Sequence, residues 1–406
     1  MKNQFKIVMV AACPFPYSRG TPIRIFRMAE ALSNRGHKVN VITYHLGNQL
    51  YDAPFFIHRI PKVRTYRKYS PGPTYQKLMV LDSLLAVKLY NFLKQNEIDI
   101  IHAHNYEGLL VSLFIRNLVR KPVIYDAHTL LESELPYYKL GLSQKLRKFV
   151  GLRIDQWFPK KADHIITVTD RIKNKLIQDS TVVPESITTI MNGVEENHFE
   201  IKENENKIFN VKKKILIFTG NLAPYQGIEL LLKIFRNVLK VRQDVRLLII
   251  SDSSFDYYES LAKDLNVRND IEFLSSDFNL LPKYLAQADI ALNPRIDCDG
   301  FPQKLLNYMA AGKPIVSFES SGRNLINGYT GLVVEDGNIE AFATAVLKLL
   351  QKTDIAAKLG ENARKYVLSK YTWKNTAEMT EEVYEYVLSE KSVGKEYIKR
   401  ILPNKV

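Results

Sequence analysis

This sequence predicts an α/β protein of two doubly wound units, each a mostly parallel sheet with helices on both faces. Three observations carry that prediction. Apolar runs of strand length alternate with amphipathic stretches of helix length, the pattern of a parallel sheet covered by its crossover helices. The alternation stops at a polar segment, Glu200 to Lys214, and then restarts. The chain has 406 residues, more than one core of roughly 100 to 200 residues usually serves.

The first series opens with an apolar run, Phe5 to Ala12, interrupted only by Lys6. A Pro/Ser/Gly turn and an amphipathic stretch, Thr21 to Arg35, follow it, giving strand, loop and helix. Val39 to Tyr44 reads as a second strand. Ile98 to His102, Tyr106 to Val119 and Val123 to Asp126 read as strand, helix, strand. In the second series, strands fall at Ile215 to Gly220, Val245 to Ser251, Ile271 to Leu274, Ile290 to Asn293 and Pro314 to Phe318. Helices between them fall at Ile228 to Val241, Tyr257 to Leu265, Leu280 to Ala288 and Lys304 to Ala311. The domains are accordingly 1–200 and 201–371, with 372–406 as a helix and tail. The helical pattern from Thr372 to Glu390 comes after the second sheet's own helices and need not belong to the second domain. Ligands of such sheets bind beyond the carboxyl ends of the strands, so a cleft between the units is the expected site.

Composition narrows the class. Hydrophobic residues make up 46% and charged residues 25%, close to globular averages, which argues against a disordered or fibrous chain. Cys13 and Cys298 lie far apart and match no metal or redox spacing, so a reducing cytoplasm fits best. The apolar start is too short for a signal peptide, and the run Leu109 to Val119 is broken by Arg116. The net charge of +14 is uneven: residues 1–200 hold 28 Lys and Arg against 17 Asp and Glu. A basic half of this kind suits nucleic acid, anionic lipid or a phosphorylated substrate.

Four segments, in order, resemble the motifs of glycosyltransferase family four. The first is PFPYSRGTPIRIFRMAEALSNRGHKV, with Gly20 and Arg24 in its loop and helix. The second joins IIHAHNYEGLL to KPVIYDAHTLL, the third is IMNGVEENHF, and the fourth is ADIALNPRIDCDGFPQKLLNYMAAGKPIV over residues 288–316. The resemblance spans about residues 7 to 335 and implies a GT-B fold. It further implies a retaining, metal-independent transferase that uses a nucleotide-sugar, linked to UDP or GDP, as substrate and needs no cofactor. The acceptor would be a glycan or a lipid-linked molecule, and the protein would be cytoplasmic, peripheral at the inner face of the plasma membrane.

Site residues follow the matched motifs. Gly300, Phe301 and Pro302 form a tight loop opening a helix, whose N-terminal N–H groups suit a diphosphate; Leu305 lies in the same donor segment. The family usually carries two glutamates eight residues apart here, facing the sugar and the ribose. This chain has Asp299, a shortened carboxylate, and Asn307, which can still bond a ribose without charge assistance. In GNLAPYQGIELLL the family usually has Arg and Lys, both neutralising the leaving diphosphate; Asn221 and Gln226 stand there instead. Lys304, Arg295 and Arg24 are the cations placed to substitute. A lysine on the first turn of a helix opposes the helix dipole, which points to a compensating anion.

His128 follows a strand, and by resemblance lies beside the transferred sugar; Asp126 would orient it or bond the acceptor. His102 and His104 are weaker candidates, since His102 ends a strand and reads more readily as a satisfied core histidine. A metal on His102, Asp126 and His128 fits the residue types, but nothing else supports it. Residues 59–77 mix six cations with Tyr66, Tyr69 and Tyr75, and residues 139–161 set Leu, Phe, Ile and Trp among basic residues. Such interleaving suits lipid headgroups, so Arg64, Arg67 and Lys68 are assigned to the acceptor or the membrane; nucleic acid is the weaker partner. Two rival functions remain open, an inactive GT-B scaffold subunit and a nucleotide-sugar epimerase of the same fold.

Overall fold

The computed structural model describes residues 4–17, 20–48, 52–69, 72–138, 141–180, 182–200, 213–296 and 302–401. The chain divides into two compact units. One comprises Met1–Asn192 with Trp373–Val406, and the other Gly193–Thr372.

In the first unit the chain runs β1 (Lys6–Ala11), α1 (Gly20–Asn34), β2 (Lys38–Thr43), β3 (Phe56–Arg59), α2 (Asp82–Gln95) and β4 (Ile100–His104). It continues through α3 (Asn105–Val119), β5 (Val123–Ala127), α4 (Leu131–Glu134), α5 (Gln144–Trp157), β6 (His164–Thr167), α6 (Asp170–Ser180) and β7 (Ile187–Thr189). All seven strands are parallel in the order β3-β2-β1-β4-β5-β6-β7. The strand order reverses between β1 and β4, the topological switch point where ligands of such sheets bind.

Near-continuous apolar strands explain the double covering: Ile7 to Ala11 are fully buried, as a sheet with helices on both faces requires. Strand alternation sends Ile101 and Ala103 to one core with Leu85, Leu89 and Leu109, and Ile100 and Ile124 to the other with α1 residues Ile25, Met28 and Leu32.

The second unit runs β8 (Lys214–Thr219), α7 (Ile228–Val241), β9 (Val245–Ile250), α8 (Asp256–Asp264), β10 (Ile271–Leu274), α9 (Leu281–Gln287) and β11 (Ile290–Asn293). Then come α10 (Gln303–Ala310), β12 (Ile315–Phe318), β13 (Leu332–Val334), α11 (Ile339–Gln351) and α12 (Thr353–Lys370). Its six parallel strands lie in the order β10-β9-β8-β11-β12-β13, reversing between β8 and β11. The apolar stripe of α7, from Ile228 through Leu231, Phe235 and Val238, packs on this sheet.

The last helix, α13 (Trp373–Ile401), returns to the first unit. Its inward stripe, Ala377, Val383, Tyr384 and Val387, completes the core over α1 and β4. Arg35 fastens it through Glu378, at 2.8 Å, and through both oxygens of Glu381. His37 meets the same Glu381 at 2.8 Å. Among the described residues, no helix is long and apolar enough to cross a membrane.

Candidate active site

Each unit carries a polar cluster at the carboxyl ends of its strands. In the first unit the cluster follows from strand register. His104 lies beside Ala11 on β1 and beside Asp126 on β5. Residues two apart on a strand share a face, so His102, His104, Asp126 and His128 all project to the side covered by α1 and α13. The His102 and His104 rings stack with centroids 4.4 Å apart.

Asp126 is the centre of this cluster and is fully buried. Arg24 grips it with two hydrogen bonds, from Nε to Oδ2 at 3.0 Å and from Nη2 to Oδ1 at 3.1 Å. The same guanidinium donates to Asn192 Oδ1 and to the Ile190 carbonyl, each at 2.9 Å. Around the carboxylate stand His104 Nδ1 at 3.3 Å, His128 Nε2 at 3.5 Å and His102 Nε2 at 3.6 Å. His102 Nδ1 meets the Tyr384 hydroxyl at 2.7 Å. His128 Nδ1 faces Thr21 Oγ1 at 3.2 Å, and its Nε2 lies 3.3 Å from His104 Nδ1.

Charges settle accordingly. Burial alone would raise the Asp126 carboxyl, but Arg24 and then the histidines hold it well below the usual range. Burial, reinforced by His102, pushes His104 down to about 3. Burial also lowers His128, against the pull of Asp126. Both rings are therefore uncharged at neutral pH, and the single negative charge of Asp126 is balanced by Arg24.

Two readings from the sequence need correction here. Arg24 does not face an anion in solution; it is 1% exposed and committed to Asp126. Asp126, with no exposed surface, holds the histidines and cannot bond an acceptor. His104, buried and 3.3 Å from both Asp126 Oδ2 and His128 Nε2, joins the two. The side-chain ligand atoms of His102, His104 and Asp126 lie within 4.8 Å of one another. A metal ion fits this set poorly, since both carboxylate oxygens already hold a guanidinium.

In the second unit the cluster forms beyond β8 and β11. Tyr308, fully buried on α10, receives hydrogen bonds from Thr219 N at 2.8 Å and Thr219 Oγ1 at 3.0 Å. This pins α10 to the end of β8. Lys304, one helical turn earlier, then lies with Nζ 4.0 Å from the Phe218 ring centre and 2.7 Å from Gln226 Oε1. Gly227, at φ 75°, closes the turn under Gln226; a Cβ there would lie 2.2 Å from the Pro294 carbonyl oxygen, so only glycine fits. Arg295 lies over the Tyr225 ring at 4.8 Å.

Pro302 caps α10, and Asn307 is buried, its Oδ1 3.5 Å from Gln303 Nε2. Asn221 builds its own loop: Oδ1 accepts from Ala223 N at 3.1 Å and Nδ2 donates to the Tyr225 hydroxyl at 3.0 Å. Leu305 is fully buried, its side chain serving the core. Gly20 starts α1 with no atom crowding its Cα. Asp299, Gly300 and Phe301 lie outside the described residues. Arg64 and Arg67 are exposed and Lys68 is half-buried on the segment after β3.

Two parallel doubly wound sheets, each with its polar cluster at the switch point, make this a GT-B fold, and comparison with known proteins agrees. Sucrose-phosphate synthase from Thermosynechococcus elongatus superposes with a TM-score of 0.78 at 18% identity, covering 95% of this chain and 100% of that one. HepE from Anabaena, in complex with UDP-glucose, gives 0.70 at 16% identity over 95% and 100%. An uncharacterized glycosyltransferase of Methanocaldococcus jannaschii, MJ1607, is 25% identical over 394 residues, 91% of this chain and 95% of its own length. The model of Glycosyltransferase Family 4 matches residues 18–198, and that of Glycosyl transferases group 1 matches residues 200–366. The chain belongs to this family of group 1 glycosyltransferases.

Proposed function

We propose that the chain moves a hexose-type sugar from a nucleoside-diphosphate sugar, with retention of configuration and without a metal ion, to a glycan or lipid-linked acceptor at the cytoplasmic face of a membrane. The observation that supports it best is Lys304. Its ammonium lies against Gln226 at the carboxyl end of β8 and on the first turn of α10. Departure of a nucleoside diphosphate develops negative charge, and a preorganised cation beside a helix N-terminus stabilises it. Nucleotide-sugar use is further supported by HepE, a protein of similar fold seen with UDP-glucose.

The first unit supplies the acceptor side of this reading. His128, uncharged and held through Nε2 by His104 and Asp126, turns Nδ1 from Thr21 Oγ1 to a hydroxyl of the transferred sugar. Its contribution is positioning and electrostatic, with no covalent intermediate assigned. A thermal-shift screen against UDP-, GDP- and ADP-sugars tests the proposal. A uridine or guanosine sugar at about a hundredfold excess over its Kd should add roughly 2.7 kcal/mol of stability, and the same sugar should be slowly hydrolysed. Binding without hydrolysis or transfer would favour the inactive scaffold, a reading supported by Asn221 and Gln226 standing where the family has cations. No shift with any nucleotide sugar would remove the donor assignment.

A further inference from the structure

We propose that the first unit docks on an anionic lipid surface through one face, built from the turn before α2 and the outer side of α5. This deepens the membrane part of the proposed function and can be tested without any sugar. The carrying observation is an inverted turn. Residues Lys77–Leu81 form a π-helical turn, which buries Lys77 and Leu81 and exposes the three apolar side chains between them. Lys77 is 8% exposed and paired with Glu107, whereas Met79 is 73% exposed, with Leu78 and Val80 beside it. A turn facing only water would do the reverse, and π-turns concentrate at functional positions.

The inverted turn belongs to a larger surface. Gly72 lies so close to the Tyr138 ring that a Cβ would lie 2.5 Å from it, and Arg147 donates to the Tyr138 carbonyl. The segment before α2 is thereby joined to the start of α5. There Tyr137 is 81% exposed, and Leu146 and Phe149 are also exposed. An open hollow of about 440 Å³ lies between Phe149 and Trp157.

Charge selects the occupant. Within residues 59–81 Lys62, Arg64 and Arg67 are exposed with no acid in that stretch, and within residues 137–161 Lys145, Lys148, Arg153, Lys160 and Lys161 are exposed while the single acid, Asp155, is buried. Exposed apolar tips among cations match a bilayer interface, where the tips enter the acyl boundary and the cations meet phosphates. A second copy would bring two strongly basic faces together. The exposed Leu78, Met79, Val80 and Leu146 tips, on which a base cannot stack, favour the bilayer over a nucleic acid strand.

Sedimentation with vesicles tests this. The full chain should bind phosphatidylcholine vesicles containing about one third phosphatidylglycerol, and pure phosphatidylcholine far less. Lys145→Gln with Lys148→Gln should weaken binding about fivefold per charge. Met79→Ser with Phe149→Ser should weaken it about tenfold or more, with most of that loss persisting in salt that screens the charges. The first pair lies wholly on α5 and the second spans the turn and α5, so misfolding of one, seen by circular dichroism, leaves the other as the test. Parent-like vesicle binding by both pairs overturns the proposal. So does a loss of self-association or of single-stranded RNA binding in the variants with vesicle binding unchanged. UDP titration in solution reports separately on the transfer reading, and vesicle binding stands or falls whatever that titration gives.

Discussion

The two units place polar groups at the same topological position and give them opposite electrostatics. In the first, a buried carboxylate is cancelled by a buried guanidinium, and the uncharged His104 and His128 lie beside the pair. In the second, an ammonium lies against an amide oxygen and a ring face. One cluster is wired to hold side chains still, and the other is the one we propose to meet the donor's anion. A shared fold position therefore does not fix a chemical role; the charges brought there by neighbouring helices decide it.

Substitutions can break this contrast. The largest effect is expected at Arg24. Arg24→Met leaves Asp126 buried and uncompensated, which should cost about 3–5 kcal/mol in urea unfolding, and adding Asp126→Asn should recover much of that. A loss below about 1 kcal/mol would show that the pair is not the electrostatic centre described. Next come His128 and Lys304, which should fail in opposite ways. His128→Ala should lower turnover about a hundredfold and leave nucleoside-diphosphate affinity within a fewfold. Lys304→Ala should weaken that affinity about tenfold, as should Lys304→Met, and Gln226→Lys should restore part of it, because the two side chains already touch. If both variants changed affinity alike, the division of roles between the units would be lost.

The smallest expected effect is at Tyr384. Its hydroxyl is held protonated, chiefly by burial, and meets His102 Nδ1 at 2.7 Å. Tyr384→Phe should cost about 1 kcal/mol and alter the His102 tautomer seen in nitrogen chemical shifts. An unchanged tautomer would detach α13 from the cluster.

Much of the fold was legible because apolar runs in a doubly covered parallel sheet are nearly continuous. The strand expected at Ile290 to Asn293 and the helix at Ile228 to Val241 match the structure residue for residue. Short or half-exposed elements were not legible: β3 exposes Phe56 and offers only four residues. The same limit applied to the cluster. His128 and Asp126 could be found by motif, whereas the Arg24 to Asp126 pair joins residues 102 apart, a distance that periodicity cannot bridge. One signal was present. Arg24 stands four and eight residues before Met28 and Leu32, so it lies on the buried stripe of α1, and a cation there requires a partner.

The return of α13 also sets an order of events during synthesis. His102 meets Tyr384 across 282 positions of sequence, so the ribosome must make the whole second unit before the first can close its histidine cluster. At roughly 5–20 residues per second, the first sheet exists for some tens of seconds without the helix that covers one of its faces. The second unit, being continuous, needs no such wait. A nascent or prematurely terminated chain would thus carry a finished second unit beside an unfinished histidine cluster, which couples the assembly of that cluster to completion of translation through residue 384.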